Sequence, residues 1–106
     1  MATIKSFTDL PQSKVLAKFL PLESADCYWE DDMSVEFGHG WHSQHIPCWS
    51  LAALLGVLPD YTLQTNTDGT VFVVCDSKKP MISDAYSNPV DACYEMIIRL
   101  SKNGLI

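Results

Sequence analysis

No stretch of this chain stays apolar for the roughly 18 residues that a membrane-crossing helix needs. The opening Met-Ala-Thr-Ile-Lys-Ser-Phe also lacks the apolar centre and small-residue cleavage site of a secretory signal. A cytoplasmic protein with no membrane attachment is the expectation. Basic side chains are scarce: 7 Lys and Arg stand against 13 Asp and Glu, for a net charge of −6, and they are scattered rather than clustered. Contact with a phosphate backbone needs grouped cations, so direct nucleic-acid binding is not expected. Paired-cysteine spacing is absent too. Cys27, Cys48, Cys75 and Cys93 lie far apart without a C-x-x-C, and without an export signal they read as reduced thiols, Cys75 and Cys93 as small core residues. Linkers rich in Gly/Ser or Pro, charge runs, repeats and low-complexity segments are also missing. A single domain over residues 1–106 follows, large enough to bury about two-thirds of the surface its unfolded chain would expose.

What is present begins with helix punctuation. At Asn88-Pro-Val-Asp91 the sequence offers a capping acceptor, a proline suited to the first helical position and a carboxylate for the positive end of the helix dipole. Val90, Cys93, Ile97 and Leu100 then fall on one face, widened by Tyr94 and Met96. Arg99 and Lys102 suit the far end, Gly104 suits a left-handed residue after it, and Leu105 can fold back on Leu100. Asp9-Leu-Pro-Gln12 resembles a capping box, and Val15, Leu16, Phe19 and Leu20 predict a first helix from about Leu10 to Leu20, stopped by Pro21. Leu51, Leu54, Leu55 and Leu58 mark another helix, opened near Pro47 or Ser50 and closed by Pro59.

Strand signals lie between these helices. Cys27-Tyr-Trp29 reads as extended, Met33, Val35 and Phe37 alternate with polar residues, and Glu30-Asp-Asp32 reads as a turn. Tyr61 to Thr67 and Thr70 to Cys75 flank Asp68-Gly69, a pair suited to a two-residue type I′ hairpin turn. Pairing Thr67 with Thr70 places Tyr61, Leu63, Phe72 and Val74 on one face and Val71, Val73 and Cys75 on the other. Met81-Ile82 predicts a short further strand. The expected fold is α+β, with three helices packed against a small antiparallel sheet centred on that hairpin.

Three segments carry a resemblance: Pro21-Leu-Glu-Ser-Ala-Asp26, Ile46-Pro-Cys-Trp-Ser-Leu-Ala-Ala-Leu-Leu-Gly-Val-Leu-Pro59, and Asn88 through Leu100. They resemble an uncharacterised family of small proteins from prophages and mobile elements of gut bacteria. The resemblance implies an accessory protein inside the cell and brings no catalytic residue or cofactor with it.

One segment is chemically suggestive. His39-Gly-Trp-His42-Ser-Gln-His45-Ile-Pro-Cys48 holds three imidazoles and a thiol, donor types that zinc and related metals accept. The spacing fits no established finger and no second donor segment is evident, so the simpler reading is a polar loop. Cys48, placed before a helix and near His45, raises a thiol nucleophile as another alternative, though no orienting Asn or Asp completes a triad. Neither a G-x-S-x-G elbow nor a phosphate-cradling glycine loop is present. Glu30, Asp31 and Asp32 read as a hydrated turn, Trp29 and Trp49 as core. Trp41, set among glycine and polar residues, reads as exposed and forms with His42 a candidate interaction surface. The expected function is non-enzymatic contact with an unknown protein partner, with self-association possible and no cofactor implied.

Overall fold

The computed structural model describes residues 5–30, 34–38, 45–76 and 80–106. Among them run α1 (Leu10–Leu16), a single 3-10 turn (Leu22–Ser24), β1 (Cys27–Trp29), β2 (Val35–Phe37), β3 (Ile46–Cys48), α2 (Leu51–Val57), β4 (Tyr61–Thr65), β5 (Val71–Cys75), β6 (Met81–Ile82) and α3 (Pro89–Lys102). The α+β class is present, but the strands form two antiparallel three-stranded sheets, ordered β2-β1-β3 and β4-β5-β6, where a single sheet was expected.

The helix ends follow from the residues predicted to set them. Asp9 accepts from the Gln12 N–H at 2.8 Å while the Gln12 side chain accepts from the Asp9 N–H at 3.1 Å, a reciprocal capping box. Regular helix nevertheless stops at Leu16 instead of Leu20. The Lys18 and Phe19 amides turn to the tighter i−3 carbonyls of Val15 and Leu16, and the turn leads into Pro21, whose ring disfavours helical geometry in its predecessor. Ser50 caps α2, accepting from the Ala53 N–H at 3.3 Å, and Leu58 is extended, as a residue before proline prefers.

In α3, Asn88 accepts from the Asp91 N–H, and Asp91 in turn receives Lys5 at 2.7 Å and Gln12 at 2.9 Å. At the other end Gly104 has φ of +68°, the Leu105 N–H donates to the Leu100 carbonyl at 2.9 Å, and the Gly104 N–H donates to Ser101 at 3.2 Å. These two bonds are a Schellman closure, which only a residue tolerant of positive φ completes without strain.

The core lies between α3, α2, α1 and β5. Val90, Ala92, Cys93, Met96, Ile97 and Leu100 of α3 are buried with Leu16, Trp49, Leu54, Leu58, Val73 and Cys75. Burying each large apolar side chain contributes about 1.5–3 kcal/mol at most, so α3 is the main apolar contributor to a small core.

Just beyond β3 the chain meets the N-terminal segment. The Thr8 N–H donates to the Trp49 carbonyl at 2.9 Å and the Leu51 N–H to the Ser6 carbonyl at 3.1 Å, so residues 6–8 run along residues 49–51, and Pro47 within β3 is buried. α1 covers the face carrying Cys27 and Trp29, where the Trp29 indole meets Phe7 edge-on at 6.1 Å and donates to Ser13 at 3.2 Å.

The hairpin adopts a register one residue away from the expected one. Thr65 pairs with Val71, Leu63 with Val73 and Tyr61 with Cys75. The Asn66 N–H donates to the Thr70 carbonyl at 2.8 Å and the Gly69 N–H to the Asn66 carbonyl at 3.0 Å, leaving Thr67-Asp68-Gly69 as a three-residue loop. A type I′ turn needs positive φ at both central residues. Here Gly69 alone is positive, at +88°, and no non-glycine residue among those described is. Because side chains alternate, that slip exchanges faces. Tyr61 and Leu63 share a face with Val71, Val73 and Cys75, while Phe72 and Val74 turn to the other side with Thr62, Gln64 and Ile82.

Candidate functional site

Three places hold side chains with chemical potential. The first is a polar cluster buried where β1, β3 and the N-terminal segment meet. Cys27 and Cys48 stand directly opposite each other in the β1–β3 register, and both are fully buried. The Cys27 thiol donates to the Cys48 carbonyl at 3.0 Å, and the Cys48 thiol donates to the Thr8 carbonyl at 3.5 Å. The Thr8 hydroxyl lies 2.8 Å from Ser13 Oγ and accepts from the Trp49 N–H at 3.2 Å. Asp26 accepts from the Ser50 N–H at 2.9 Å and from the Ser50 hydroxyl, fixing the cap of α2 to the start of β1. Hydrogen bonding with Cys48, burial and the charge of Asp26 push the Cys27 thiol far up. Hydrogen bonding with Cys27, against the opposing effect of burial, and then with Thr8 and Ser13 pulls Cys48 down. The more acidic thiol of the pair is thus sealed from solvent, and its hydrogen bonds link a strand to the segment beside it.

His45 belongs elsewhere. Its ring stacks on Tyr28 at 4.4 Å with an 18° interplanar angle. Tyr28 and Cys27 are successive strand residues and face opposite sides of the sheet. His45 therefore lies on the Tyr28 side and Cys48 on the Cys27 side, so the structure does not bring the two together. Cys48 also sits within β3 and not at a helix N-terminus, because α2 starts only after its Ser50 cap.

The remaining loop candidates, His39, Trp41 and His42, lie outside the described residues, as do Asp31 and Asp32 of the expected turn. Among the described residues no three His, Cys, Asp or Glu side chains converge as a metal shell requires. Cys75 and Cys93 are buried, and burial pushes Cys93 up to about 12.

The third place is the side of the second sheet that faces away from α3. α3 packs on the face carrying Val73 and Cys75. The opposite face presents Phe72 and Val74, half-buried and outside the core cluster, with Ile82 beside Val74 and 59% exposed. β6 is held in place by Arg99, which donates to the Ile82 carbonyl at 3.0 Å and pairs with Glu95 at 2.7 Å. The apolar face therefore rests on an anchored scaffold. Period-two alternation in Val71 to Cys75 already sets Phe72 and Val74 opposite Val73 and Cys75; the one-residue slip places Thr62 and Gln64 beside them where Tyr61 and Leu63 are expected.

No helix among the described residues is long and apolar enough to cross a membrane. In comparison with known proteins, no family model, no curated protein and no solved structure matches this chain.

Proposed function

We propose that this protein works by protein contact and not by catalysis, as an accessory protein of the prophage kind that its sequence resembles, and that the open face of the second sheet makes the contact. The observation that carries the reading is the grouping of Phe72, Val74 and Ile82 on one side of a sheet whose other side is packed. Apolar side chains gathered on one open face, as opposed to scattered singly, characterise interaction sites. The polar rim is supplied by Thr62 and Gln64 on the same face.

Affinity purification from the source cell, comparing wild type with Ile82→Asp, tests this. Ile82 is exposed, so the change should leave the melting transition in place while introducing a charge that an apolar contact must desolvate. Loss of one defined partner from the Ile82→Asp protein supports the reading. Retention of every partner redirects it to the surface expected around Trp41 and His42, and stoichiometric zinc in the purified protein that disappears on His42→Ala redirects it to a metal site among His39, His42 and His45.

A further inference from the structure

We infer that two copies of this chain join through β4, edge to edge, into one continuous antiparallel sheet. This contact is separate from the open face proposed above, and either can stand without the other.

β4 is exposed along its whole length and occupies the edge of its sheet. The hydrogen bonds at the two ends of the hairpin fix which backbone groups it leaves unused. Asn66 donates to Thr70 and Asp76 donates to the Asp60 carbonyl, so residues 60 and 66 turn their polar groups toward β5. By alternation Thr62 and Gln64 do the same, and the N–H and C=O of Tyr61, Leu63 and Thr65 point outward. Among the described residues nothing bonds those outward groups.

The outward groups are self-complementary. A two-fold axis through Leu63 sets Leu63 of one copy against Leu63 of the other and Tyr61 of each against Thr65 of its mate. Every outward N–H and C=O of β4 then finds a partner in this register. The side chains agree. The two leucines and the Tyr–Thr pairs meet on the face where α3 lies, and Thr62 meets Gln64 on the other.

Charge selects this edge for a like copy. The chain carries −6, yet residues 61–67 contain no charged side chain. In the same register each flanking Asp60 falls opposite an Asn66, so no carboxylates oppose one another. The edge at β2 is different: it is three residues long with Glu36 at its centre, and two-fold pairing there would set carboxylate against carboxylate. β3 is three residues long with Pro47, which has no N–H to offer, at its centre, and β6 has only two residues. A bare, uncharged edge strand of high β-propensity is a template for pairing.

Sedimentation equilibrium with amide hydrogen exchange decides the matter. The wild type should be dimeric, and the amides of Tyr61, Leu63 and Thr65 should exchange at least about tenfold faster once diluted below the dissociation constant. Leu63→Pro removes an outward N–H that the single copy does not use, and Leu63→Lys sets two ammonium groups together. Each should give a folded monomer. A wild type that stays monomeric at millimolar concentration overturns the inference. So does a dimer whose three β4 amides exchange as freely as in the monomer, a reading taken on the unmodified protein and independent of how either variant folds. Dimers that persist in both variants overturn it as well.

Discussion

Asp26 holds Ser50 by two hydrogen bonds, one from its N–H and one from its hydroxyl, and Ser50 caps α2. One carboxylate therefore joins the first sheet to a core helix. Asp26→Ala should destabilise the fold by about 1–3 kcal/mol in urea unfolding, because it leaves the Ser50 amide without its acceptor. Asp26→Asn, which keeps an acceptor oxygen, should cost less.

The same residue predicts an acid limit. Burial pushes the Asp26 carboxyl up, but the bonds from Ser50 and Cys27 outweigh it and hold it below its ordinary 3.8. Asp91 is likewise held below 3.8 because Lys5, Asn88 and Gln12 outweigh burial. A depressed carboxylate contributes stability that is complete above its unfolded value and disappears as pH falls through the folded one. Stability should thus be flat with respect to these groups near neutrality and fall below about pH 4, with a shallower fall in Asp26→Asn. Equal acid slopes for the two proteins would show that Asp26 is not among the titrating groups.

Gly69→Val should cost at least about 1 kcal/mol, since φ of +88° strains a β-branched side chain. A Cβ there meets nothing within 4 Å, so the cost is one of backbone conformation alone. Gly69→Asn should therefore recover part of it. Identical urea midpoints for the wild type and the Gly69→Val protein would contradict the loop assignment.

All four cysteines are buried. Native protein at neutral pH should react with a thiol reagent no faster than it opens, and all four thiols should react rapidly once unfolded. Selective fast labelling of Cys48 would return attention to a thiol nucleophile.

Ending the chain after Pro89 should abolish the cooperative melt, because it removes Ala92, Cys93, Met96, Ile97 and Leu100 from the core as well as Val90. Calorimetry on the shortened chain checks this. A retained sharp transition would mean that the other elements form a core of their own.

Local signals were the readable ones. Asp9 with Gln12, Asn88 with Pro89, and Gly104 with Leu105 each act within a few residues, and each produced the expected end of a helix. The hairpin was located correctly but misregistered, because Asp-Gly serves a two-residue turn and a three-residue loop alike. The choice lies in side chains around it: Asp68 accepts from the Thr70 N–H at 2.9 Å and its hydroxyl at 2.6 Å, and Asn66 donates to Thr70 at 2.9 Å. The division into two sheets was not legible, since it depends on Cys27 meeting Cys48 and on Phe7 meeting Ser50. Those pairings join distant stretches that carry no matching local mark. Phe72 and Val74 were legible as face-mates from alternation alone, whereas Ile82 beside Val74 depends on the β5–β6 pairing, which carries no local mark.

The dependence of the core on α3 also orders events during synthesis. Trp49, Leu54 and Val73 leave the ribosome well before Met96, Ile97 and Leu100 can cover them. Until then the nascent chain can form its hairpin, whose contacts are local, but must carry exposed leucines and an indole. Translation speed and chaperone supply should therefore bear on soluble yield alongside the stability of the finished fold.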